Sequence, residues 1–327
     1  MIRLAIYGYG NLGRGVASAV RQNADVTLVG IYTRRDPRTV TPMDPKTPVY
    51  SADELLAHKD AIDVLVLCGG SATDLPAMTP SLAEHFHVLD SFDTHARIPA
   101  HFAACDRVAR ASGHIALISA GWDPGLFSIA RAYASAVLPE GCDYTFWGRG
   151  ISQGHSDAIR RIDGVRDARQ YTVPREDALA AVRRGECPSL TAGERHLREC
   201  YVVAEEGADT ARIEREIKEM PNYFADYETT VTFVDEDTLR REHGGMPHGG
   251  SVLYNGTTGK DGEHRHTVEF RLQLDSNPEF TGSVLVAYAR AIARMAARGM
   301  SGAMTVLDVA PADLSARSPE ELRAHLL

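Results

Sequence analysis

The chain has 327 residues, 44% of them hydrophobic and 24% charged, and carries a formal net charge of −9. That is length for about two domains with a substantial core, in the composition of an ordinary globular protein. The negative balance excludes broad attraction to nucleic acid or anionic membrane, so any anion-binding group must be local.

The first ten residues, MIRLAIYGYG, run straight into a strand, which leaves no room for a charged leader and apolar signal segment. No apolar run approaches the roughly 20 residues that span a bilayer. Five scattered cysteines without a C-x-x-C pair suit reduced thiols. A cytoplasmic protein with no membrane and no nucleic-acid partner is expected.

Up to about residue 120, short apolar runs alternate with amphipathic stretches. RLAIYG (3–8), VTLVGIY (26–32), DVLVLC (63–68), HVLD (87–90) and HIALIS (114–119) read as strands. Their nearly continuous Val, Ile and Leu content means that both faces are covered, as in a parallel sheet. LGRGVASAVRQ (12–22) and FAACDRVARAS (102–112) read as the helices between them. Strand–helix alternation predicts a doubly wound α/β sheet of Rossmann type.

After a loop and connecting helix at 120–139 the pattern changes. CYVVAEE (200–206), YETTVTFVDE (227–236), GSVLYNG (250–256) and HTVEFRLQLD (266–275) alternate apolar with polar residues. This predicts a second, α+β domain with a mixed or antiparallel sheet, one face of it covered. A helix at 208–220 covers it, and the long helix 277–299, followed by AMTVLDVAP, returns to the first domain. The expected division is therefore 1–120 with about 300–327, and 121–299.

GYGNLG places Gly8, Gly10 and Gly13 between the first strand and the first helix. The glycines allow a tight turn and close approach of backbone N–H groups to a pyrophosphate at the helix N-terminus. About twenty residues on, where an acid would bind a ribose 2′-hydroxyl, the chain has Thr33, Arg34 and Arg35. Two guanidiniums there fit the 2′-phosphate of NADP(H). The competing reading is a solvated pair with Asp36 serving as the acid. CGGSATD (68–74) is a second small-residue loop at a strand end.

DSFDTH (90–95) and ISAGWDPG (118–125) also follow strands, which puts Asp93 and Asp123 where such sheets bind ligands. Paired carboxylates suit a cationic amine, which they hold and whose proton they can accept; alternatively each Asp only caps a turn. FWGRGISQGHSDA (146–158) sets Trp147, core or ligand-facing, before a glycine-rich loop whose Gln153 and Gly154 amides could hold a carboxylate. Arg198 and His248 are candidate anion holders, the competing reading for each being a solvated or structural side chain. The pairs His243/His248 and His264/His266 lack a supporting acid or Cys cluster, so no metal site is expected.

Taken together, YGYGNLGR, TRR, GSATD, GWDPGLFS, FWG, ISQGHSDAIRRI, QYTVP, MPHGG, HTVEF, NPEFT and SGAMTVLDVAP make the chain resemble the meso-diaminopimelate dehydrogenase family along nearly its whole length. The resemblance implies reversible, NADP-dependent oxidative deamination of meso-2,6-diaminopimelate at its D-centre, in lysine biosynthesis, by a homodimer. It implies that Gly8, Tyr9, Gly10, Asn11, Leu12, Gly13, Thr33, Arg34, Arg35, Cys68, Gly69, Gly70 and Ser71 line the nucleotide. Phe92, Asp93, Thr94, Pro124, Gly125, Leu126, Phe127 and Ser128 would join them. Asp93, Asp123, Trp147, Gln153, Gly154, Thr172, Arg198, His248 and Asn277 would surround the substrate, with the two acids as the catalytic bet. The segments 36–46 and 257–264 look longer than the family pattern, which leaves the outer edges of the cofactor site and the substrate cleft open. Two rivals are a reductase of the dihydrodipicolinate type, which would need a Lys–His cluster absent here, and a non-catalytic NADP sensor, which has no use for the acids.

Overall fold

The Val/Ile/Leu runs of the first hundred residues form a parallel sheet because nothing polar interrupts either of their faces. The computed structural model describes residues 1–327 in two units, Met1–Ile129 with Pro278–Leu327, and Ala130–Asn277. In the first unit β1 (Ile2–Tyr7), β2 (Val26–Thr33), β3 (Val49–Ser51), β4 (Val64–Leu67), β5 (Val88–Asp90), β6 (Ile115–Leu117) and β14 (Gly302–Met304) are ordered β14-β6-β5-β4-β1-β2-β3. Every pairing is parallel. β3 and β14 are too short to announce themselves by periodicity, yet β14 is the returning AMTVLDVAP segment.

The chain leaves β1 to one side for β2 and to the other for β4, so the strand order reverses between β1 and β4. Ligands of open α/β sheets bind outside the strand ends at such a switch point. The loops 8–13, 33–36, 68–74, 90–95 and 118–125 all lie along that edge.

The long helix Asn277–Ala297 is the element that returns to the first unit. From Pro278 onward it belongs to the first unit, because Val284, Leu285, Val286, Tyr288, Ala289, Ala291, Ile292 and Met295 are buried against β1, β4 and the helix Asn11–Val20. Gly282 and Gly15 face each other so closely that a Cβ on either would overlap backbone. Arg290, 3% exposed, ties the helix to the rim of β2 through Asp25 (2.5 and 2.7 Å), Asn23 (2.8 Å) and the Leu314 carbonyl (2.8 Å).

The second unit carries two sheets. β7 (Gly141–Trp147), β12 (His248–Thr258) and β13 (His264–Leu274) are antiparallel, in the order β13-β12-β7. β8 (Gly150–Ile151), β9 (Val165–Pro174), β10 (His196–Ala204) and β11 (Thr229–Phe233) form the other, mixed because β10 and β11 run parallel. The helix Thr210–Glu219 covers it with Ile213 and Ile217, packed on Cys200 and Val202. β13 departs from expectation: its alternation predicted one covered face, but residues 264–271 are exposed throughout, Val268 by 39%. No helix is long and apolar enough to cross a membrane.

Candidate functional site

The residues expected to hold a nucleotide are carried by the ends of β1, β2 and β4. Gly8 has φ +94°, and its amide bonds the Tyr32 carbonyl at 2.8 Å, which turns the chain sharply off β1. Gly13 lies against the Gly8 carbonyl, so any side chain there would push the helix off the strand. Gly10 has open space where its Cβ would be, and it caps the helix Asn11–Val20 without a side-chain bond and with no acid in the first turn. Backbone donors at the positive end of a helix are thereby left to an anion.

The two arginines fasten different loops. Arg34 grips Asp74 with two bonds of 3.0 and 3.1 Å, and Asp74 also accepts from the Gly70 amide at 2.8 Å. The Arg34 bonds hold the Asp74 carboxyl below the usual range. Arg35 donates to the Tyr9 carbonyl at 2.9 Å, and its amide is held by the buried Thr33 hydroxyl at 3.1 Å. Asp36, the late acid of the alternative reading, is engaged locally. Its carboxylate caps residues 37–39 and accepts from the Arg38 guanidinium at 2.7–3.1 Å.

Among the other expected nucleotide residues, Phe92 and Phe127 are fully buried. Phe92 packs at a tilt against His101 and Phe127 meets Trp122 edge-on. Their side chains are core, so only their backbone can line a ligand. Cys68 likewise turns its thiol inward, where burial pushes its pKa up to about 12. Gly125 lies in the Trp122–Gly125 bridge, its amide bonded to the Ser128 hydroxyl at 3.1 Å.

The acids occupy loops that the sheet holds firmly. Asp93 is exposed, and it exchanges two hydrogen bonds with Ser71 at 2.5 and 2.9 Å, linking the loops after β4 and β5. Asp123 is half-buried, on the loop after β6. Both loops are anchored by Asp90, a residue that sequence reasoning passed over. Its fully buried carboxylate accepts from the Phe92 amide (3.0 Å), the Ser119 amide (2.8 Å), the Thr79 hydroxyl (2.7 Å) and His101 Nε2 (2.8 Å). Asp90 begins the same DSFD motif as Asp93, but only its burial separates the anchor from the candidate.

In the second unit the register gathers the remaining candidates. Thr172 on β9 pairs with Arg198 on β10 and with Gly150 on β8, and Gly150 lies flush against the His248 imidazole. Asn277 is drawn to the same strand end, its amide 2.9 Å from the Met246 carbonyl. Trp147 donates its amide to His196 Nε2 at 2.9 Å and stacks on that ring, centroids 5.1 Å apart. It is half-buried, neither core nor free surface. Gln153 and Gly154 open the helix Gln153–Arg160, exposed, with Ser152 as cap and no acid in the first turn.

Arg198 is the electrostatic centre of this group. It is 7% exposed, hydrogen-bonds Thr172, and takes part in no salt bridge. Its buried Nε has no acceptor in the chain, and burial lowers its pKa. A desolvated cation without a counter-charge is costly unless an anion arrives. The contrast with Arg149 in the same unit is direct, since Arg149 pairs with Glu199.

Two histidines beside Arg198 are kept neutral. Burial, reinforced by the Arg198 charge, takes His155 and His196 from the ordinary 6.5 to about 4. Above pH 6.5 both are neutral folded or unfolded, so they add no pH dependence. Between 6.5 and 4 only the unfolded chain takes up their protons, so stability falls as pH falls through that window. Thermal unfolding across this range is expected to show a steadily falling midpoint. A His155→Gln, His196→Gln double variant should lessen the slope, with His87, which burial likewise takes to about 4, sustaining the rest.

Comparison with known proteins decides what this arrangement belongs to. A family model described as the diaminopimelic acid dehydrogenase C-terminal domain matches residues 121–276, and one described as the homoserine dehydrogenase NAD-binding domain matches residues 8–118. The meso-diaminopimelate D-dehydrogenase of Ureibacillus thermosphaericus is 55% identical, over 100% of this chain and 99% of its own. The chain belongs to the meso-diaminopimelate D-dehydrogenase family. The structure of C. glutamicum DAP dehydrogenase in complex with DAP is similar with a TM-score of 0.91 at 50% identity, covering 100% of this chain and 99% of that one. An engineered D-amino acid dehydrogenase bound to NADP+ has a TM-score of 0.87 at 49% identity, with the same coverage. The glycine loop and Arg34-Arg35 fall within the segment matched by the NAD-binding model, and Arg198 falls within the segment matched by the diaminopimelic acid dehydrogenase C-terminal domain.

Proposed function

We propose that this protein is an NADP-dependent dehydrogenase that reversibly deaminates meso-2,6-diaminopimelate at its D-centre. The products are L-2-amino-6-oxopimelate, which cyclises to tetrahydrodipicolinate, and ammonia. The observation that carries this reading is full-length membership of a family whose named members have this activity. The bare helix N-terminus and the two arginines fit NADP(H), which when bound supplies the hydride acceptor. Gly8 to Gly13 would hold the pyrophosphate, and Arg34 and Arg35 the 2′-phosphate.

In this reading the chain sorts a substrate with two ammonium and two carboxylate groups. Asp93 and Asp123 take the D-centre amine, with the Gln153 and Gly154 amides for the neighbouring carboxylate. Arg198, Thr172, His248 and Asn277 read the L-centre end, and Trp147 lines the wall. Fixing the distal end fixes which carbon is presented for reaction, and orientation of this kind supplies much of an enzyme's rate. The first unit thus acts as the NADP-binding domain, and the second as the domain for substrate and dimerisation.

A homodimer belongs to the same reading. The exposed edge strand β13 is supported as its contact, since a long edge invites pairing unless a partner covers it. Cytoplasmic localisation is supported by five free thiols.

The test is absorbance at 340 nm with NADP+ and meso-, LL- or DD-diaminopimelate supplied separately. Turnover confined to, or strongest with, the meso isomer is expected, and no turnover with any isomer would refute the activity. From the paired acids, Asp123→Ala is expected to lower kcat at least tenfold while NADPH still binds; unchanged turnover would remove it from the site.

A further inference from the structure

We infer that Tyr227 is a specificity-determining residue that holds the Arg198 guanidinium charged and aimed for the distal carboxylate of the substrate; this rests on the distal role given to Arg198 above. The Tyr227 ring lies under the guanidinium, 3.9 Å from its carbon to the ring centroid. The backbone sets that contact. The Arg198 amide donates to the Glu228 carbonyl at 2.9 Å, and Arg198 pairs with Thr229 where β10 meets β11. Tyr227, two residues before Thr229, is pinned in turn by its amide on the Phe224 carbonyl at 2.9 Å.

The choice of an aromatic ring has a chemical reason. A buried guanidinium needs electrostatic support, and a carboxylate would be the strongest source. A carboxylate would also neutralise the charge and occupy the donors that a ligand carboxylate must use. The face of a ring stabilises the cation through its quadrupole and takes no donor. Thr172, a neutral hydroxyl, holds one edge of the fork without adding charge. His155 and His196, which feel the Arg198 charge, are kept neutral by burial and so place no second positive charge beside the guanidinium. Arg198 is thus held by a ring and a hydroxyl, with its full positive charge left for a ligand.

The experiment compares Tyr227→Leu, Tyr227→Phe and Arg198→Ala in the full-length enzyme, measuring kcat and KM with meso- and DD-diaminopimelate, NADPH affinity and thermal unfolding. Tyr227→Leu is expected to raise KM for the meso isomer about tenfold and to narrow the preference for meso over DD, with kcat and NADPH affinity little changed. Tyr227→Phe, which keeps the ring face, should stay close to the parent. Unchanged KM and preference in Tyr227→Leu, beside a clear loss in Arg198→Ala, would overturn the role of Tyr227 alone. An equal loss for both isomers with a lowered melting temperature would make Tyr227 structural and equally overturn it. If Arg198→Ala itself leaves KM and preference unaltered, the distal reading falls and this inference falls with it.

Discussion

Replacing Arg198 by Ala is expected to lower kcat/KM for meso-diaminopimelate by about 10²- to 10³-fold, the size of effect seen when one partner of a buried, hydrogen-bonded charge pair is removed. The variant should lose its preference for the isomer with an L-configured distal centre, because the only buried cation of the group is gone. The effect on stability should run the other way. The parent keeps a desolvated guanidinium with no carboxylate partner and a buried Nε without an acceptor. Arg198→Met, of similar length and no charge, should therefore melt no lower than the parent while losing as much activity. Activity traded against stability in this manner marks a functional group rather than a packing one. Initial rates with the three isomers, set beside melting curves, check both signs. Retained activity with a fall in melting temperature would reduce Arg198 to a structural residue.

Arg35→Asp is expected to cut kcat/KM for NADP+ by about 10²- to 10³-fold and to change that for NAD+ by only a few-fold. The change removes a charge-assisted donor and puts a carboxylate against a phosphate, so loss of attraction and new repulsion act together. Arg35 is the more telling of the two positions. Arg34 is already engaged by Asp74, and its substitution would also leave that carboxylate unpaired beside the nucleotide loop. Arg35 spends only one donor, on the Tyr9 carbonyl. Cofactor titrations with NADP+ and NAD+ under one condition decide the matter, and equal losses for both would remove the 2′-phosphate from the account.

What the sequence alone determined was local or periodic. The covered strands are continuous apolar runs, and the glycine loop must stand between strand and helix to work at all. The two arginines were legible because their distance from Gly13 is set by one helix and one strand. Family membership was legible because the motifs occur in order along the whole chain. What the sequence left open depended on burial and on pairing between distant segments. Asp90 and Asp93 are three residues apart in one motif, yet one is a buried anchor with four donors and the other an exposed acid. That Arg34 meets Asp74 while Asp36 turns to Arg38 became visible only when the loops after β2 and β4 came together. The long helix 277–297 carries apolar residues that either unit could have covered, and the close approach of Gly282 to Gly15 decides which. Tyr227 has no motif; it matters because β10 and β11 lie in register and bring its ring beneath Arg198. Spacing along a chain records which residues a helix or strand presents together, whereas the cost of an uncompensated charge exists only once folding has removed the water around it.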